Sequence, residues 1–273
     1  TNTVSLTAGG TTRLTADTGV SVVGTLAVTG AITSTSDLTI ADKVIHAGDT
    51  DTAIRFPAAN TVSVETGGSE RARVDSSGRL LVGHSSSVDQ NAKVQASTTS
   101  TDTFAGFKYG ANNAPNIIRL GKSRNASVGS NTILQDDDEI GRINFVGADG
   151  TDFNDCASIQ CFVDGTPSDG TDMPGRLELR TSADGSATPT TRLTITSAGL
   201  VNVPDNGKFT AGASSDLSIY HDGTNNQILS SNGDIVNTVD TGHWFYIKTD
   251  AGNDVSLIAK PNGAVELYHD NSK

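Results

Sequence analysis

The chain has 273 residues, 29 of them glycine, a formal charge of −12, and only 5% aromatic residues. So few large core-filling side chains argue against one broad globular core and favour thin modules that share their apolar faces. The acidic balance leaves no basic stripe to meet phosphates, so no nucleic-acid partner is expected, and no apolar run is long enough for membrane insertion.

Residues 1–36 are Thr-rich and punctuated by glycine. In Val20-Ser-Val-Val-Gly-Thr-Leu-Ala-Val-Thr-Gly-Ala-Ile-Thr33, β-branched runs are broken by Gly24 and Gly30. That pattern predicts short strands joined at turns or bulges in an N-terminal segment. Thr1-Asn-Thr-Val-Ser-Leu6 has neither a charged n-region nor an apolar h-region, so no secretion signal is expected. Without an initiator Met, the chain reads as a fragment.

Residues 37–89 make a first module. It contains Leu38-Thr-Ile-Ala-Asp-Lys-Val-Ile-His-Ala-Gly-Asp-Thr-Asp-Thr-Ala-Ile-Arg-Phe-Pro57, then Thr61-Val-Ser-Val-Glu65, then Glu70-Arg-Ala-Arg-Val-Asp-Ser-Ser-Gly-Arg-Leu-Leu-Val-Gly83. Residues 90–115 read as a linker, polar through Ala96-Ser-Thr-Thr-Ser-Thr-Asp102. Phe104–Tyr109 and Asn116–Gly121 are expected as the first strands of the central module.

Residues 116–203 form that central module, with period-two alternation, the mark of half-buried strands. Ile143 and Phe145 alternate with Asn144; Ile159, Cys161 and Val163 with Gln160 and Phe162; Leu177 and Leu179 with Glu178; Leu193 and Ile195 with Thr194. Asp-Gly pairs at 149–150, 164–165 and 184–185 supply the positive φ of tight turns, so an antiparallel meander is expected. Residues 204–273 form a hairpin module. Asp222-Gly223 and Asn232-Gly233 are its first turns, and Lys260-Pro-Asn-Gly263 its last, with φ fixed at Pro261. Ile219-Tyr-His-Asp222 recurs as Leu267-Tyr-His-Asp270.

One spacing recurs across modules. Arg71 to Gly78 and Arg192 to Gly199 correspond, with Val74 matching Ile195, Ser76 matching Ser197, and Leu80 and Val82 matching Val201 and Val203. A degraded third copy runs from Arg13 to Gly19. Repeated strand–turn–strand units indicate stacked architecture.

No catalytic, metal or cofactor site is expected. Leu120-Gly-Lys-Ser123 ends like a phosphate-binding loop, but Asn116 stands where that motif needs glycine. Gln135-Asp-Asp-Asp-Glu139 lacks the spacing of an EF-hand, so a solvated loop is favoured over a calcium site, and likewise for Asp149–Asp155. His46, His84, His221, His243 and His269 form no His-x-His and read as structural. Cys156 and Cys161, an odd number apart, would face opposite ways in a continuous strand and read as reduced thiols. Thr241-Gly-His-Trp-Phe-Tyr-Ile-Lys248 is the only aromatic cluster. Alternation puts Trp244, Tyr246 and Lys248 on one face, which could stack on a sugar ring or pack on another module or chain; packing is favoured.

These motifs resemble modules of long bacteriophage tail fibres, of the kind found in marine phages and cyanophages. Gly141 to Phe153, Val163 to Pro167, Asp172 to Leu177 and Arg192 to Gly199 match, in order, G-R-I-x-F-x-G-x-D-G-T-D-F, V-D-G-T-P, D-M-P-G-R-L and R-x-x-I-x-S-x-G. Residues 42–57 resemble D-K-I-I-H-x-G-D-T-x-T-A-I-R-F-P. Residues 214–223 and 261–273 resemble S-S-D-L-x-I-Y-H-D-G and P-N-G-A-V-x-L-Y-x-D-N-S-K segments, which continue further in those fibres. The resemblance implies an all-β, elongated fibre with a trimeric β-prism or β-helix-like shaft. It also implies a homotrimer in a virion, assembled in the host bacterial cytoplasm. Its partners would be other virion tail proteins and a host cell-surface receptor, for example a polysaccharide. A bacterial surface adhesin should carry a secretion signal or anchor, and a polysaccharide-cleaving tailspike should carry paired carboxylates and many aromatics; neither pattern is visible here.

Overall fold

The computed structural model describes residues 7–8, 11–12, 22–99, 102–240, 243–249, 254–259 and 263–268. All regular structure among them is β, and none of it is helical. Two compact units divide the chain, Thr1–Asn116 and Ile117–Lys273.

The first unit holds a small pair, β1 (Thr7–Ala8) and β2 (Thr11–Thr12), and one six-stranded sheet. Its strands are β3 (Lys43–His46), β4 (Asp49–Arg55), β5 (Val62–Thr66), β6 (Ser69–Val74), β7 (Leu80–Val82) and β8 (Val94–Ala96), in sequence order. Neighbours are antiparallel except β7 and β8, which run parallel. Gly67 and Gly68, at φ 58° and 68°, close the β5–β6 hairpin as the two-residue turn that needs positive φ at both positions. At Gly83 a Cβ would lie 2.2 Å from the Ser97 carbonyl oxygen, so only glycine admits β8 there.

The second unit holds three antiparallel sheets. The largest is a five-stranded meander of β9 (Glu139–Ala148), β10 (Phe153–Val163), β11 (Gly175–Thr181), β12 (Thr190–Ile195) and β13 (Val201–Asn202). A three-stranded sheet comes next: β14 (Phe209–Ala211), β15 (Leu217–His221) and β16 (Asn226–Ser230). The last comprises β17 (Phe245–Thr249), β18 (Asp254–Ala259) and β19 (Val265–Leu267).

The Asp-Gly turns share one chemistry where they close hairpins. The Asp149 carboxylate accepts the Thr151 and Asp152 amides and the Asn154 side-chain amide. The Asp222 carboxylate accepts the Thr224 and Asn225 amides and the Gln227 side-chain amide. Backbone amides come first among the causes that hold both carboxyls below their ordinary range. Glycine follows each Asp at positive φ, 105° and 94°.

Several expectations need correction. Residues 22–42 form no strand, although β-branched runs fall there. Phe104–Tyr109 and Asn116–Gly121 also lack strand pairing, and their large side chains are exposed. Asp164-Gly165 opens the long loop 164–174 rather than a tight turn, and Asp184-Gly185 sits in the loop 182–189. Asn232-Gly233 turns the chain, with Gly233 at φ 90°, but residues 234–240 beyond it form no strand. Cys156 is the extra residue of a bulge between Asp155 and Ala157, so the continuous-strand count to Cys161 fails. Its thiol donates to the Phe145 carbonyl, at 3.0 Å. The Arg13–Gly19 copy, the turn at 260–262 and the motif at 269–270 lie outside the described residues.

Candidate assembly faces and an aromatic strip

The registers put apolar residues in rows. Across the six-stranded sheet Val44, Ile54, Val64, Ala72, Val82 and Ala96 lie side by side. Val62, Val74, Leu80 and Val94 form a second row on the same face. This face is open: Ile54 is 50% and Val64 45% exposed. The opposite face carries Lys43, Arg55, Ser63, Arg73, Leu81 and Gln95 in one row. Ser63 on that polar face is fully buried (0% exposed). It lies directly between Arg55 and Arg73, whose long side chains pair with Glu65 and Glu70. Gln95 is buried by the loop 87–92, whose backbone it grips through both ends of its amide.

The meander repeats the arrangement. Ile143, Ile159, Leu179 and Leu193 make one row, and Gly141, Cys161, Leu177, Ile195 and Val201 the next. Ile143, Phe145, Leu177, Leu179, Ile195 and Val201 are all exposed. On the other face Arg142, Gln160, Glu178, Thr194 and Asn202 align. There Glu178 is the hub, accepting Arg176 at 2.9 Å, Arg180 at 2.7 Å and the Thr191 hydroxyl at 2.9 Å. Burial pushes its carboxyl up; those three bonds outweigh burial and hold it below the ordinary range. Both guanidiniums also lie over the Phe162 ring, 4.7 and 5.6 Å from its centroid. Charged side chains thus shield the ring that alternation puts on the polar side.

The smaller sheets are built the same way. Phe209, Ile219 and Ile228 form an exposed row, while Ser218 on the opposite face is buried. In the last sheet Phe245, Ala259 and Val265 align, as do Ile247, Leu257 and Leu267. Burial is therefore largely inverted in all four sheets: most valine, isoleucine and leucine of these rows is open, while the opposite face covers Ser63, Gln160, Glu178, Ser218 and Glu266 together with Leu81 and Ile258. Monomeric proteins rarely expose apolar faces of this extent.

The acidic run Gln135–Glu139 is exposed through Asp137, and its carboxylates also act as fasteners. Asp136 accepts the Gly165 amide, Asp137 pairs with Arg176, and Asp138 takes Arg124, Lys122 and the Gln135 amide. Arg124, then the Gln135 amide, hold the Asp138 carboxyl far below the usual range. Glu139 pairs with Arg142. Among the described residues no cluster of three or more His, Cys, Asp or Glu side chains is placed to hold a metal.

Arg71 and Arg192 do matching work. Arg71 Nε donates to Thr66 Oγ1 at 2.9 Å, and Arg192 Nε to Thr181 Oγ1 at 2.9 Å. Each strand then enters a turn closed by two backbone bonds, Asp75 to Arg79 and Gly78 to Asp75 in one, Thr196 to Leu200 and Gly199 to Thr196 in the other. Gly78 and Gly199 stand at φ 69° and 80°.

Trp244 and Tyr246 come together, with ring centroids 6.0 Å apart, and Lys248 lies 5.3 Å from the Tyr246 ring. Tyr246 aligns with Ile258 and Glu266 across the sheet. Tyr268, two residues beyond Glu266, donates its hydroxyl to that carboxylate at 2.7 Å, which raises the phenol above its ordinary value. Tyr268 belongs to the recurring Leu267-Tyr-His-Asp270 motif, whereas no sequence signal singles out Glu266.

No family model matches the chain, and no curated protein matches it. Among solved structures it is similar to the carboxy-terminal domain of the bacteriophage T5 L-shaped tail fibre, at 16% identity and a TM-score of 0.46, over 70% of this chain and 83% of that one. It is also similar to that domain with its intramolecular chaperone, at 15% identity and a TM-score of 0.48, over 77% and 68%. Likeness at this level fixes neither family nor function.

Proposed function

We propose that this chain is a structural segment of a bacteriophage tail fibre, a shaft that carries or contributes to host-receptor attachment, and that it is a homotrimer. The observation that carries the trimer is the inverted burial. Each apolar side chain moved out of water is worth roughly 1.5–3 kcal/mol, so rows of them gain most by facing one another across a shared axis. Three-fold closure uses one sheet per chain and leaves no open end, the prism-like arrangement expected of such shafts. The polar faces, with their arginine–carboxylate networks and the net charge of −12, then meet solvent. The fibre assignment is supported by the ordered motifs across residues 37–203 and 207–273. It implies a virion location, assembly in the host cytoplasm, and contact with other tail proteins and a host receptor. Trp244 and Tyr246 are the candidate contact for that receptor in this chain.

Light scattering on the purified protein tests the trimer. A mass three times the 28.1 kDa of one chain supports it; a folded monomer overturns it. The role is adhesive and mechanical rather than enzymatic. Incubation with host polysaccharide should release no new reducing ends, and release abolished by changing one carboxylate of this chain would contradict that.

A further inference from the structure

We propose that the open edge of β9 is completed by residues Phe104–Tyr109 of a second copy of this chain. The inference rests on the trimer proposed above and adds how its members are joined. The other outer strands of the four larger sheets, β3, β8, β13, β14, β16, β17 and β19, run only two to five residues. β9 runs ten and stands at the end of its sheet, with β10 on one side only. A long open edge presents a row of unpaired amides and carbonyls, and proteins blunt such edges with lysine, proline or bulges. Ile143-Asn-Phe-Val-Gly-Ala148 has no charge and no proline, and the bulge at Cys156 lies on the partner strand. Ile143, Phe145 and Val146 are exposed along it.

The donor is a segment with the pattern of a strand and no strand beside it. Phe104-Ala-Gly-Phe-Lys-Tyr109 is as long as the unguarded stretch, and Phe107 and Tyr109 are 78% and 92% exposed. Extended, it places Ala105, Phe107 and Tyr109 on one side and Phe104, Gly106 and Lys108 on the other. Laid along β9, the first set continues the apolar face at Ile143 and Phe145. The second brings Lys108 to the polar face, where Glu139 pairs with Arg142 and Asp155 accepts Asn144. Symmetry favours a separate donor: β9 pairing with β9 of a neighbour makes a two-fold contact that cannot close a ring of three, whereas a donor segment meeting a different acceptor edge can. The other unpaired segment, Asn116–Gly121, is packed on β9 of its own chain, where Leu120 fills the space over Gly141. Phe104–Tyr109 is instead tied to its own chain by two exposed bonds that strand addition would exchange, Asn116 to the Gly106 carbonyl and Lys108 to the Ala114 carbonyl.

Two measurements on the full chain test this. With Phe145 replaced by p-benzoylphenylalanine, irradiation should give cross-linked multimers on a denaturing gel, with the cross-link mapping to residues 102–110. In Phe107→Asp, whose substituted side chain is exposed in the single chain, amides of 143–148 should exchange about tenfold faster than in the wild type. A cross-link within one chain or on β9 of a neighbour, no cross-link, or unchanged exchange in a protein that scatters as a trimer overturns the strand addition and leaves the trimer. A monomer by light scattering overturns both.

Discussion

The six-stranded sheet and the five-stranded meander reach the same result with different side chains. Both set apolar rows against a covered polar row, and both end in an arginine–threonine bond followed by a glycine-closed turn. In the first, the polar face is divided among separate pairs, Arg55 with Glu65, Arg73 with Glu70 and Arg79 with Asp75. In the second, one carboxylate, Glu178, serves two arginines and a threonine. The first also closes its far end with a parallel strand that passes over Gly83, for which the meander has no counterpart. Backbone register and face polarity can thus be held constant while the charges that hold the polar face are redistributed.

Five substitutions probe that comparison. Gly83→Ala should be the most costly, because its Cβ meets a backbone carbonyl and φ is 80°; a loss of roughly 3–5 kcal/mol, read by chemical denaturation, is expected in the first unit alone. Glu178→Gln should come second at roughly 2–3 kcal/mol, below the range of a fully buried pair because Arg180 remains 29% exposed. The corresponding Glu70→Gln should cost less, since only Arg73 depends on it. Gly78→Ala and Gly199→Ala should cost about 1–2 kcal/mol each and resemble one another, since neither added Cβ meets an atom and both pay only for a left-handed residue.

The smallest effect separates the turns by pH. Arg79, by its side chain and then its amide, holds the Asp75 carboxyl below its ordinary value. A depressed folded value means the contribution is complete above the unfolded pKa, about 3.9, and is lost as pH falls through the folded value. Asp75→Thr, which copies Thr196, should therefore remove stability at neutral pH but close the gap to the wild type in acid. The second turn keeps its own acid sensitivity through Asp164, lowered chiefly by the Ser197 amide it accepts. A gap that stays constant from pH 7 to acid would contradict this assignment.

Much of this is legible from alternation and turn residues. The meander, the hairpins at Asp149-Gly150 and Asp222-Gly223, and the meeting of Trp244 with Tyr246 each come from local rules. Alternation describes a side chain's direction but not whether an edge exists to pair with, which is why Phe104–Tyr109 and Asn116–Gly121 read as strands and are not. Nor does it show a bulge, so counting residues from Cys156 to Cys161 misplaces the first thiol. The Arg176–Glu178–Arg180 clamp is implicit in the sequence, because residues two apart share a face, but the apolar stripe at Leu177 and Leu179 hides it. The acidic run at 136–138 is beyond local reading, since its partners at Gly165 and Arg176 come from distant sequence.

The central claim is that the apolar faces are covered by other copies of the chain while the polar faces are not. Val201 and Asn202 are neighbours on β13, point to opposite faces and are both exposed in the single chain. Light scattering on Val201→Asp and Asn202→Asp compares the two faces at adjacent exposed positions. The account predicts that Val201→Asp loses the trimer mass, since a carboxylate would be buried without a partner, and that Asn202→Asp keeps it. Retention of the trimer by both variants would contradict it.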